Sequence, residues 1–148
     1  MGKKITPMGK FKWESEFSVG IGKFDEQHKL IIKYINELND SLKLPKDDNT
    51  KEIVGKIIEG LTSYTVSHFL DEEVELYKND YHNFASHKEE HDKLVSVVRF
   101  FNIRFFSGKI SGRVLCLEII SVLTEWLKNH ILKVDKHYGP FLNSKGVS

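Results

Sequence analysis

A single cysteine, Cys116, in 148 residues leaves an internal disulfide with nothing to pair. A stapled secreted scaffold is therefore excluded, and the expectation is a reducing, cytoplasmic setting. No run of about 18 apolar residues is present, so hydropathy offers no membrane span. The first ~25 residues also lack the apolar core of a secretory signal. Charge of one sign is lacking too: the formal net charge is +1, which gives no reason to invoke nucleic acid or an anionic membrane. Lys3, Lys4, Lys10 and Lys12 are spread too thinly for a basic binding arm and read as a solvated tail. Strand-period segments, repeats and low-complexity tracts are also missing. What remains is an ordinary globular composition, long enough for one domain that buries ~70% of its unfolded surface.

The dominant pattern is helical. Residues 1–22 read as an irregular arm broken by glycines, with Trp13, Phe17, Val19 and Ile21 as anchors across a bundle; residues 23–148 form the domain. Asp25 is expected to cap a first helix with His28, Ile31, Ile32, Ile35, Leu38 and Leu42 on one face. Asn49 with Glu52 has the form of a capping box opening a second helix, where Val54, Ile57, Leu61, Tyr64, His68 and Glu72 share a stripe. In the third, Phe84, His87, His91, Leu94, Val98, Phe101 and Phe105 alternate steps of three and four until Ser107-Gly108. Ser111 can cap a fourth, in which Cys116, Ile119, Leu123, Trp126 and His130 repeat the alternation and Gly139-Pro140 stops it. Four amphipathic helices on short connections make an all-α, antiparallel up-down-up-down four-helix bundle. Cys116 reads as a small core residue.

Seven polar residues fall on the buried stripes or beside them: His28, His68, Glu72, His87, His91, His130 and Asp135. His68 and Glu72 are four apart, as are His87 and His91, so each pair points one way from its helix. Asp135 lies five after His130, an offset of ~140° on an ideal helix, and must be brought round by a distortion or by the fraying of the helix end. Singly these signals are weak. Together, inward polar groups on independent helices would leave a metal-free bundle with too many unpaired buried groups. Imidazoles and two carboxylates turned inward are a ligand set for a pair of borderline transition-metal ions.

Rival metal motifs fit less of the chain. Glu-x-x-His pairs of the ferritin-like plan are absent, and Lys88 stands where a zincin needs glutamate. His87-Lys88-Glu89-Glu90-His91 satisfies the inverted H-x-x-E-H pattern, but leaves the other five residues unexplained. His82, in a turn, and His137, past the fourth stripe, read as solvated.

W-x-x-x-F-S-V-G-I at Trp13–Ile21, D-E-Q-H-K at Asp25–Lys29, H-F-L-D-E-E at His68–Glu73, H-K-E-E-H at His87–His91 and W-L-K-N-H-I-L-K-V-D at Trp126–Asp135 resemble the hemerythrin family, in particular its single-domain bacterial members. The resemblance implies two iron ions with an oxo or hydroxo bridge. It places His87, His91 and His130 on one iron and His28 and His68 on the other, with Glu72 and Asp135 bridging. The first iron is then six-coordinate and the second five-coordinate, its open position taking dioxygen as hydroperoxide. Phe69, Trp126, Leu127 and Ile131, with Ile32 from the first helix, match the apolar pocket that keeps water out. Two residues depart from the common pattern: His82 follows Tyr81 where many relatives have proline, and Val134 stands where many have threonine. Tyr138 is either a hydrogen-bonding partner behind the site or a surface aromatic.

Reversible carriage or storage of dioxygen, without enzymatic turnover, is the function implied. An oxygen or redox sensor acting through a partner protein is the second reading. Diiron peroxidase-type or nitric-oxide-handling activity at the same site is the third, and a metal-free interaction bundle the fourth. No signalling segment accompanies the bundle, which favours a free carrier, expected as a monomer or weak homo-oligomer.

Overall fold

The computed structural model describes residues 9–148; the expectation for Lys3 and Lys4 lies outside them. Four helices dominate: α1 (Gly22–Ser41), α2 (Asp48–Lys78), α3 (Phe84–Ser107) and α4 (Gly112–His130). A π-turn at Ile131–Asp135 carries α4 into a short α5 (Lys136–Ser144). No strand occurs among the described residues. α1 lies beside α2 and α4, and α3 also lies between those two, the square arrangement that short antiparallel connections produce. The apolar stripes meet in one core, where Ile35, Leu38, Leu76, Leu115 and Ile131 are at most 1% exposed.

The helix ends show where local signals compete. α1 begins at Gly22, not at Asp25. Asp25 sits inside the first turn, where its carboxylate accepts from Ser18 Oγ at 2.6 Å and Val19 N at 2.8 Å. It therefore ties the incoming arm to the helix instead of capping it. The cap of α2 is Asp47, which accepts from Thr50 N at 2.8 Å; the Asn49–Glu52 box is not used, because Asp47 binds a free N–H two residues earlier. α2 ends in a Schellman pair, Tyr81 N to Leu76 O and Asp80 N to Tyr77 O, with Asp80 left-handed at φ 57°. This defines the Tyr81-His82 turn, and His82 is exposed on it. Gly108, left-handed at φ 68°, closes α3 as expected. Ser111 precedes α4 without a side-chain capping bond.

Gly139-Pro140 does not stop the chain's helical path, which continues to Ser144. Pro140 removes one backbone donor, but the burial of Tyr138, Gly139 and Leu142 on the same short helix outweighs that loss. His137, exposed, belongs to this helix too.

Among its described residues the arm has one 3-10 turn, Ser15–Phe17. Phe11, Phe17, Val19 and Ile21 are buried, whereas Trp13 is half-buried with Lys29 over its ring. Phe11 exchanges two bonds with the Asn36 side chain, both 2.9 Å. Near the arm's end, a methyl group at Gly139 would lie 2.0 Å from Val19 O; only glycine permits that approach.

Candidate metal centre

All seven sequence-derived residues are buried: His28, Glu72, His91 and Asp135 are 0% exposed and none exceeds 3%. α1 contributes His28, α2 His68 and Glu72, α3 His87 and His91, and α4 His130. Asp135 arrives through the π-turn. There the Lys136 N–H reaches back to Ile131 O, and the wider turn puts residues five apart on one face. The ~140° offset expected of a regular helix is thus removed, and Asp135 Oδ1 lies 2.9 Å from His130 Nε2.

Two convergent groups result. Glu72, His87, His91, His130 and Asp135 offer ligand atoms within 4.8 Å of one another, and so do His28, His68 and Glu72. Glu72 belongs to both: Oε1 is 3.4 Å from His68 Nε2 and 3.3 Å from His91 Nε2, while Oε2 is 3.6 Å from His28 Nε2. Asp135 also divides between them. Its Oδ2 is 3.2 Å from His28 Nε2, and its Oδ1 is 3.3 Å from His87 Nε2.

Three rings are fixed from behind. His68 Nδ1 is 2.6 Å from Gln27 Oε1, whose amide nitrogen donates to Asp71 at 2.7 Å. His91 Nδ1 is 2.9 Å from Glu73 Oε2, and His130 Nδ1 is 3.0 Å from Glu90 Oε2. Each acceptor takes a ring proton on Nδ1, so the neutral ring aims an Nε2 lone pair inward. The sequence reading missed Gln27, Glu73 and Glu90. The available signal was their position: each adjoins an inward ligand in sequence. A residue one step along a helix is turned ~100°, so it faces the neighbouring helix. Gln27 of α1 reaches α2, Glu73 of α2 reaches α3, and Glu90 of α3 reaches α4.

Tyr138 is no surface aromatic. It is 0% exposed, donates its hydroxyl to Glu72 Oε2 and packs edge-on against Phe24 at 5.7 Å.

Electrostatics describe a centre that demands positive charge. Burial disfavours a charged His28, but Asp135 and Glu72 outweigh it and raise the ring's pKa to about 9. For His91, burial is likewise outweighed, by Glu72 and Glu73, again to about 9. Burial prevails at His68, which falls to about 4. Burial would raise Glu72, yet His68, and then His28, His87 and His91 around it, hold it well below the usual carboxylate range. Asp135 is also lowered: His130 and His28 prevail over burial and the repulsion from Glu72. Burial, then Glu72 and Asp135, push the Tyr138 phenol well above its ordinary value, so it stays a donor.

The donors fit metal ions. His91 and His130 Nε2 are 3.2 Å apart and each ring's Nδ1 faces a carboxylate, so once His91 gives up its extra proton two lone pairs converge on one point. Donors bound ~2.1 Å from one ion at right angles lie about 3 Å apart. Both nitrogens of His28 and His87, Glu72 Oε1 and both Asp135 oxygens are buried without a hydrogen-bond partner, a set that protein groups leave unsatisfied.

Two of the expected pocket residues lie against the ligand rings, and the other three are buried in the core. Phe69 stacks on His91, with centroids 3.8 Å apart and planes at 2°, and lies 5.9 Å from His68. Trp126, half-buried, stacks on His130 at 4.2 Å and 14°. Leu127, Ile131 and Ile32 are at most 4% exposed. Cys116 is buried, and its surroundings push the thiol up to about 11, consistent with an inert core residue. No helix among the described residues is long and apolar enough to cross a membrane.

Residues 19–142 match the hemerythrin HHE cation-binding domain. The chain is 40% identical to a bacteriohemerythrin of Methylococcus capsulatus over 130 residues, 88% of this chain and 94% of that relative. It is 32% identical to a myohemerythrin of Theromyzon tessulatum over 128 residues, 86% and 90% of the two chains. A crystal structure of wild-type hemerythrin superimposes with a TM-score of 0.79 at 37% identity, covering 88% of this chain and 95% of that one.

Proposed function

The chain belongs to the hemerythrin family, and from that premise we propose that its bundle holds two iron ions and binds dioxygen reversibly, as a carrier or store. The observation that carries this reading is the division of two carboxylates between two imidazole groups, with Glu72 common to both and each Asp135 oxygen facing a different one. His87, His91 and His130 would hold one iron and His28 and His68 the other. Glu72 and Asp135, which face both groups, would be shared between the two ions. The second ion would have two imidazoles against three on the first, which would leave room there for a small molecule.

When bound, the iron pair supplies two electrons to dioxygen, one from each ion, and recovers them on release. The chain's own residues keep that exchange reversible. Phe69 and Trp126 close the imidazole side, while Leu127, Ile131 and Ile32 supply apolar wall; a dry surround denies stray protons and water to the bound state. Tyr138 steadies Glu72. Gln27, Glu73 and Glu90 hold the ring protons at Nδ1, so that Nε2 stays free to bind.

Metal analysis should find close to two irons per chain. Anaerobic reduction, air exposure and removal of dioxygen, followed by visible absorption, test carriage directly. A charge-transfer band that appears with air and vanishes on deoxygenation supports it. Immediate irreversible oxidation, or one zinc per chain after growth with ample iron, sinks it.

A further inference from the structure

The three acceptors behind the imidazoles are not equivalent. The rings assigned to the three-histidine ion lean on carboxylates: His91 on Glu73 at 2.9 Å and His130 on Glu90 at 3.0 Å. The one supported ring of the two-histidine ion, His68, leans on the neutral amide of Gln27 at 2.6 Å. His28 and His87, one from each group, have no hydrogen-bond partner at Nδ1, so they cancel in the comparison. An anionic acceptor pulls the Nδ1 proton and makes the ring a stronger donor at Nε2, whereas an amide oxygen without net charge does so weakly. The amide at position 27 is held in that orientation by Asp71, which takes its N–H, so Gln27 presents only its oxygen to His68.

We propose that Glu73, Glu90 and Gln27 are positioning residues that set unequal grips on the two metal ions: the carboxylates tighten the His87/His91/His130 position, and the amide keeps the His28/His68 position weak and last to fill. The inference rests on the two-metal reading above and goes beyond ligand count, because it assigns part of the inequality to residues that touch no metal. Burial ranks the two carboxylates. The Glu73 side chain is 14% exposed and that of Glu90 is 43%, so water screens Glu90 more and Glu73 should contribute the larger share.

The test uses the full-length chain loaded anaerobically with cobalt(II) and challenged with increasing EDTA. Ligand-field absorption reports metal release, and circular dichroism at the same points reports helix content. The parent should release one cobalt early and one late. Glu73→Gln and Glu90→Gln should each lower the EDTA needed for the late release by ~10–100-fold, Glu73→Gln more, with the early release unmoved and helix content retained. The reverse variant is Gln27→Glu with Asp71→Asn, in which asparagine can still donate to residue 27. It should delay the early release, a gain that general destabilisation cannot produce. The proposal is overturned if the glutamine variants shift both releases equally or neither, or if the reverse variant leaves the early release unchanged. If the parent holds a single cobalt, the two-metal reading falls and this inference with it. If it holds two but the variants do not separate them, only this inference falls.

Discussion

Replacing Tyr138 with phenylalanine removes one oxygen from the middle of the molecule. The phenol and the Glu72 carboxylate are both 0% exposed, and the bond between them is the one hydroxyl donated to that carboxylate among the described residues. A hydrogen bond to a charged group contributes ~1.5–3 kcal/mol, and full burial, which denies Glu72 a replacement water, places this one in the upper part of that range. The phenylalanine ring keeps the edge-on contact with Phe24 and the 5.6 Å approach to His87, so little packing is lost and the difference isolates the hydroxyl. Tyr138→Phe should therefore lose about 2–3 kcal/mol in urea unfolding of the chelated protein, or a Tm about 4–12 °C lower for a chain of this size. In the iron-loaded protein the same change should speed loss of metal, because an unsteadied Glu72 holds both ions less well. A double-mutant cycle with Glu72→Gln should show the two substitutions to be non-additive. If Tyr138→Phe unfolds within 0.5 kcal/mol of the parent and keeps its iron as long, the phenol does not steady Glu72 and the argument fails.

Three further outcomes follow from the geometry. Gly139→Ala puts a methyl group 2.0 Å from Val19 O, a clash with backbone that should cost at least ~1–3 kcal/mol and free the arm to proteolysis; a variant as stable and protease-resistant as the parent would contradict that close approach. With iron chelated, His28 and His91 hold their protons up to about 9 against ~6.5 unfolded, so their stabilisation is complete below pH 6.5 and lost as pH rises through 9. His68, neutral down to about 4, costs stability as pH falls below 6.5, so the chelated protein should be most stable near pH 6.5. A urea midpoint that stays flat from pH 6.5 to 9 would refute that reasoning. Leu127→Asn brings a polar group into a side chain that is 4% exposed and lies ~60° from the direction of His130 on the same helix. It should keep two irons and autoxidise faster in stopped-flow mixing with air, and an unchanged rate would make Leu127 ordinary core.

The amino-acid sequence by itself determined the helices and the identity of the inward polar residues. Both are matters of local period: a step of three or four returns to the same face, so His87, His91, Leu94 and Val98 declare a buried stripe without reference to any other part of the chain. The cost of burying several imidazoles then implies metal before any contact is known. Tertiary structure decided what period cannot encode. Asp135 reaches the centre only because the fourth helix widens into a π-turn, and Gly139-Pro140 stays helical because packing outweighs a missing donor. Tyr138 acquires its role from Glu72, 66 residues away along the chain. Gln27, Glu73 and Glu90 look like ordinary solvent-side polar residues in sequence, and become ring partners once a neighbouring helix stands ~100° round from each ligand. A repeat written into one helix reports on that helix alone, whereas a bond between helices exists only after their faces have been brought together.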